Sequence, residues 1–163
     1  MASIQTGLSS EDRLRSEVVA VLKGGNAHGH PDKILADIPF EIVNERLDGL
    51  PYSLWDLVYH LWFTQHDILV FTVKPDYQEK SWPTEYWPAA EASPTSWDDT
   101  CKAFKSDLDR LVRLVESPAT GLTDELEHAP GYTVLRQALL AASHNSHHLG
   151  QIIAVRRLLG LWK

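Results

Sequence analysis

Three histidines fall within five residues in the run Ser143-His144-Asn145-Ser146-His147-His148-Leu149-Gly150-Gln151. The flanks on both sides carry helical patterning. On a helix, His144 and His148 stand at i and i+4 and project from one face, one turn apart. That spacing lets two imidazole nitrogens converge on a single cation. Spacing of this kind occurs more often in surface or hydrogen-bonded pairs than in sites, and two histidines do not fill a coordination sphere. A site therefore requires a third ligand from another element, and a face that looks inward.

His60 is the best candidate for that ligand. It lies in the middle of the segment LWDLVYHLWFTQHDILVFTV, flanked by Trp55, Leu57, Leu61 and Trp62. A histidine in so apolar a helix needs partners for its ring nitrogens, because a buried polar group without one is costly. The remaining histidines are weaker candidates. His66 is about 240° round the helix from His60, so the two cannot face one ion. His147 is rotated about 100° from His148 and reads as an alternate ligand, a supporting group or a surface residue. His28 and His30 form His-Gly-His in a loop, where a role supporting the site or a lid role competes with simple solvation. His128 has no companion in sequence. Asp56, one turn before His60, is either a helix cap, the favoured reading, or a partner for the second nitrogen of His60. Gln151 points either towards the pocket or towards a neighbouring helix. Gly150 is read as a point of close helix approach, and Trp55 and Trp62 as core. Trp82, Tyr86 and Trp87 are read mainly as packing, with a roof over the pocket as the alternative. Cys101 is read as inert packing.

Four long helices must position these groups. The first follows Ser9, where Ser9-x-x-Asp12 has the form of a capping box, and Gly24-Gly25 stops it. An irregular stretch, 26–52, holds Pro31, Pro39 and Pro51 and short turns near 31–36 and 41–46. The second long helix starts at Ser53, with Asp56 as the boxed acid, and runs to Val73. A crossover rich in proline and tryptophan covers 74–94. The third helix is expected from Ser96, with Asp99 as its acid, to Ser117-Pro118. After a connection with a turn at 124–127, the fourth runs from Thr133 to Leu159, with Gly160 closing it. No segment alternates as a strand. The reading is all-α: one domain, 1–163, forming a four-helix bundle with a long crossover between helices 2 and 3. The shorter joins suggest antiparallel hairpins of helices 1 with 2 and 3 with 4.

Composition sets outer bounds. Apolar residues make up 44% and charged residues 23% of the 163 residues, ordinary for a globular domain. The net charge is 15 − 22 = −7 and basic residues are scattered, which disfavours nucleic-acid binding. The apolar runs are too short and interrupted for a membrane span. The opening residues lack the apolar core of a signal peptide, and a single cysteine suits a reducing compartment. A cytoplasmic location is the resulting expectation.

The segments SLWDLVYHLWFTQHDIL and HNSHHLGQIIAVRRLLG resemble the DinB/YfiT-like superfamily of metal-binding four-helix bundles. Its pattern has one histidine in the second helix and His-x-x-x-His-x-Gly-Gln in the fourth, here His60, His144, His148, Gly150 and Gln151. The resemblance implies a divalent-metal site of those three histidines, often in a homodimer. It also implies either transfer of a low-molecular-weight thiol or metal-dependent hydrolysis. A non-catalytic, metal-stabilised binding or dimerisation module is the remaining class. Three neutral imidazoles leave positions open on the ion, as in catalytic sites. Zinc or nickel suits imidazole best, with manganese and iron the other candidates.

Overall fold

The computed structural model describes residues 7–25 and 27–162. Asn26 and the first six residues, part of the stretch read for a signal peptide, lie outside them. Among the described residues, five α-helices account for most of the length: α1 (Ser10–Lys23), α2 (Pro31–Leu35), α3 (Leu54–Val73), α4 (Pro94–Glu116) and α5 (Val134–Leu158). A 3-10 turn, Phe40–Ile42, stands where a turn at 41–46 was expected.

Helix starts follow the capping chemistry of the sequence. Ser9 and Ser53 each accept from the backbone N–H three residues on, and Asp12 and Asp56 close the reciprocal bond. The third long helix starts earlier than expected. Its cap is Ser93, boxed by Ser96, with Pro94 at the first helical position. Proline has the φ a helix needs and lacks only an N–H that would be orphaned there. Thr133 caps α5. At its far end Gly160 has φ +74° and its N–H donates to the Arg157 carbonyl, a left-handed closure that glycine permits without strain.

The connection before α5 is not a plain turn. Glu125–Leu126 (β1) pairs antiparallel with Ala129–Thr133 (β2), a two-stranded hairpin too short to show alternation.

The expected hairpins do not form. α3 packs on α4 and α5, and α1 packs on the same two helices, so the long helices α1 and α3 face each other across the bundle. α3 and α4 run parallel: Trp55 meets Trp97, with ring centroids 6.5 Å apart. Further along, Gln65 Nε2 donates to the Phe104 carbonyl at 2.8 Å, and His66 bonds Asp107. Parallel neighbours need a connection that returns the length of the fold, and the crossover provides it. α5 is antiparallel to α3: Gln151 reaches Tyr52 just before α3, Asn145 pairs with Gln65 at mid-length, and Tyr132 contacts Phe71 at the other end.

Two apolar clusters fill the bundle. One centres on Leu54, Leu57, Leu61, Phe104 and Ile152, the other on Leu22, Leu69, Leu111 and Ala141. Between them Gln65, fully buried, accepts from Asn145 Nδ2 at 2.7 Å. This polar pairing fixes the register of α3 on α5 beside His144, since slipping either helix would strand a buried amide. Two buried arginines tie the periphery down. Arg15 donates to the Val115 carbonyl in the last turn of α4 and to the Ser117 and Thr120 carbonyls beyond it. Arg156 donates to the Ile34 carbonyl at the end of α2.

Candidate metal centre

Antiparallel packing of α3 on α5 brings His60, His144 and His148 together. One nitrogen from each lies within 4.8 Å of the others, and His60 Nε2 is 3.2 Å from His144 Nε2. Zinc–nitrogen bonds of about 2.0–2.1 Å place tetrahedral ligand nitrogens about 3.4 Å apart, so that pair already has ligand spacing. The three-histidine group could hold a metal ion.

The outer nitrogens decide which lone pairs point inward. His60 Nδ1–H donates to the Tyr86 carbonyl at 3.0 Å, which leaves Nε2 as an acceptor. His148 Nδ1–H donates to Gln151 Oε1 at 2.7 Å, with the same consequence. Bonds of this kind set tautomer and ring orientation in metal sites. His144 differs, because its Nδ1 is buried without a partner among the described residues. Two bare Nε2 lone pairs cannot rest 3.2 Å apart, so without a cation His144 must place its proton on Nε2 and donate it to His60. A cation between them removes that requirement.

Burial keeps all three rings neutral. Desolvation lowers the pKa of His60; it is the main cause in His144 and His148 too, where the neighbouring imidazoles add to it, pushing them down to about 3 and about 4. Neutral imidazole is the form that ligates.

The crossover roofs this cluster. Trp87 lies flat on the His60 ring, centroids 4.1 Å apart and planes 4° from parallel, and the edges of Trp82 and Tyr86 approach it. Trp82 is 67% exposed, so the roof is not core packing. The roof is pinned through Asp67 on α3, whose Oδ1 accepts from the Tyr77 hydroxyl and Oδ2 from the Tyr86 hydroxyl, at 2.9 and 2.6 Å. Tyr86 thus contacts the site through its carbonyl and the anchor through its hydroxyl. Neither role had a signal in sequence, because each depends on where the crossover lies.

The other candidates separate cleanly. Asp56 is the α3 cap and pairs with Arg46 at 2.8 Å; the partner of His60 is a carbonyl instead. Gln151 orients His148. Trp55 is buried core, its indole N–H donating to the Ala90 carbonyl, and Trp62 is half-buried beside the same cluster. His147 is exposed and outside the trio. His66 bonds Asp107, and His128 Nε2–H donates to the Phe71 carbonyl. His28 and His30 bond the Gly29 and Lys23 carbonyls and take no part in the cluster. Gly150 corrects the expectation of close helix approach: a side chain there would meet nothing within 4 Å. Burial pushes the Cys101 thiol up to about 11, so it stays protonated and inert.

A comparison with protein-family models matches residues 31–152 to the DinB superfamily. Neither the curated proteins nor the solved structures give a match. The matched span holds all three histidines, the crossover and the helices that pair them, and the chain belongs to the DinB superfamily.

Proposed function

We propose that His60, His144 and His148 hold one divalent ion, zinc or nickel, and that the protein uses it in transfer of a low-molecular-weight thiol. The observation that carries this reading is the convergence of three neutral imidazoles whose outer nitrogens leave Nε2 of His60 and His148 facing inward. A divalent ion in an open three-histidine site lowers the pKa of a thiol or water that reaches it, supplying a nucleophile at neutral pH.

Thiol chemistry is favoured over hydrolysis by the fate of Asp56, the acid one turn before His60 on α3. Hydrolysis calls for a general acid or base beside the ion, and Asp56 is committed to the α3 cap and Arg46. A thiol needs only to lose its proton. The aromatic roof contributes by limiting water and by holding the His60 ring against Trp87. Self-association belongs to the same reading. Leu140 and Leu158 are exposed on one face of α5, 18 residues or five turns apart, with Gly150 and Ala154 between them near that face, a surface that suits a second copy.

The test is spectroscopic. Cobalt- or nickel-substituted protein, titrated with a thiol such as cysteine, is expected to develop sulfur-to-metal charge-transfer absorption in the near ultraviolet. The same titration with serine gives none. A spectrum unchanged by every thiol tried contradicts the thiol assignment.

A further inference from the structure

Two buried atoms at the metal centre lack partners among the described residues, and they belong to consecutive residues of α5. One is Nδ1 of His144. The other is Oδ1 of Asn145, a residue only 2% exposed. Leaving a buried polar atom unpaired is costly, and two on adjacent residues point to a common cause.

The orientation of the Asn145 amide is fixed from α4. The Phe104 carbonyl can only accept, so Gln65 turns Nε2 towards it, at 2.8 Å. Gln65 Oε1 is thereby left as an acceptor, and Asn145 must offer it Nδ2, at 2.7 Å. Oδ1 is then the free end of Asn145. It lies close to the His144 ring, because the Asn145 side chain favours the protonated ring against the burial that disfavours it. A group that favours a protonated ring accepts from it, and the acceptor of an amide is its oxygen.

Tautomers account for the missing bond. A neutral imidazole has one proton for two nitrogens. With His144 Nε2–H donating to His60 Nε2 at 3.2 Å, Nδ1 carries a lone pair and has nothing to give to Oδ1. When Nε2 ligates an ion, the proton has to sit on Nδ1 instead. Nδ1–H and Oδ1 are then donor and acceptor, and one shift of a proton satisfies both atoms.

We propose that Asn145 is the positioning residue of His144, its Oδ1 taking the Nδ1 proton when His144 ligates through Nε2. A hydrogen-bond chain then runs from the ion site through Asn145 and Gln65 to the Phe104 carbonyl, linking α5, α3 and α4. Each of the three rings is held through Nδ1 by an oxygen: the Tyr86 carbonyl for His60, Gln151 for His148 and Asn145 for His144.

This inference rests on the metal reading above. Its test uses the full chain, metal-free and zinc-loaded. Long-range proton–nitrogen NMR of the imidazoles is expected to find the His144 proton on Nε2 without zinc and on Nδ1 with it. Zinc affinity is read by competition with a chelating dye. Asn145→Leu keeps the bulk and removes the acceptor, and is expected to bind zinc about 10–100-fold more weakly, the cost of losing a group that orients a ligating histidine. Asn145→Asp restores an acceptor and keeps the parent's affinity or betters it. Gln65→Met breaks the same buried amide pair but leaves Oδ1 in place, so it lowers the melting temperature with a smaller loss of zinc affinity. The same tautomer with and without zinc, an Asn145→Leu variant with the parent's affinity, or an equal loss in Asn145→Leu and Gln65→Met would overturn the inference. A parent chain that takes up no zinc sinks the metal reading, and this inference with it. A parent that holds zinc but shows any of the other three results sinks this inference alone.

Discussion

Of the three converging histidines, His144 is the one whose proton has no fixed home. Carbonyl partners lock His60 and His148 with Nε2 bare, whereas the buried Nδ1 of His144 has no partner among the described residues. The cluster therefore sits uneasily without a cation, and acid makes this measurable. Folded-state pKa values of about 3 for His144 and about 4 for His148 lie below the roughly 6.5 of an unfolded histidine. Between those values the unfolded chain binds protons that the folded chain refuses, so stability falls as pH drops from about 6.5 towards 4. The slope is at most about 1.4 kcal/mol per pH unit for each histidine, and less for half-exposed rings. Asp107, whose pKa is lowered because bonds from His66 and Arg110 outweigh its burial, adds its loss only in the carboxylate range below this window. Urea denaturation of metal-free protein is thus expected to give a lower midpoint at pH 5 than at pH 6.5, with less dependence in a His144→Ala variant. A midpoint flat across that interval would contradict the buried-neutral description.

The residue pattern alone pointed to this trio because ligand spacing within a helix is a local property. His144 and His148 are one turn apart whatever surrounds them, and His60 stands out as a ring in an apolar helix. The exclusion of His66 rested on helix rotation and agrees with its bond to Asp107. Gln151 was ambiguous, since a polar residue one turn from a histidine reads the same whether it bonds that ring or another helix. Gly150 was misread because glycine records freedom from a side chain, not the reason for it.

At the level of elements, the crossover matters most. Its aromatics looked like packing because sequence does not say what a loop covers. In the fold it returns along the bundle to join parallel helices, and this route lays Trp87 on His60 and the Tyr86 carbonyl on His60 Nδ1. The two tyrosine hydroxyls on Asp67 hold that strap in place. Tyr86→Phe keeps the ring and the carbonyl but releases the anchor. Loss of groups that orient a ligating histidine costs about 10–100-fold in metal affinity. Because Tyr77 still holds Asp67, the lower end, about tenfold, is expected in a competition titration against a chelating dye, with little change in melting temperature. Unaltered affinity would show that the anchor does not orient the site. Caps were easier to read than pairings: Ser9 and Ser53 announce themselves within four residues. The parallel pairing of α3 and α4 depends on contacts such as Gln65 with Phe104, which join positions far apart in the chain. Join length favoured hairpins, and the register of buried polar groups decided otherwise.

On the scale of the whole molecule, an acidic chain folds as a bundle in which α3 and α5 bring three imidazoles together under the aromatic crossover. No helix among the described residues is long and apolar enough to cross a membrane. The bundle's two apolar clusters hold the helices, and the polar layer at Gln65 and Asn145 sets the register that lets histidines from different helices meet. The central claim is that these histidines act together on one ion. Inductively coupled plasma mass spectrometry of purified protein, beside His60→Ala, His144→Ala, His148→Ala and the control His147→Ala, tests it most directly. The account predicts about one zinc or nickel ion per chain in the parent and in His147→Ala, and loss of most of it in each of the other three. Metal content unchanged by His60→Ala would contradict it, since the site would then not span the two helices.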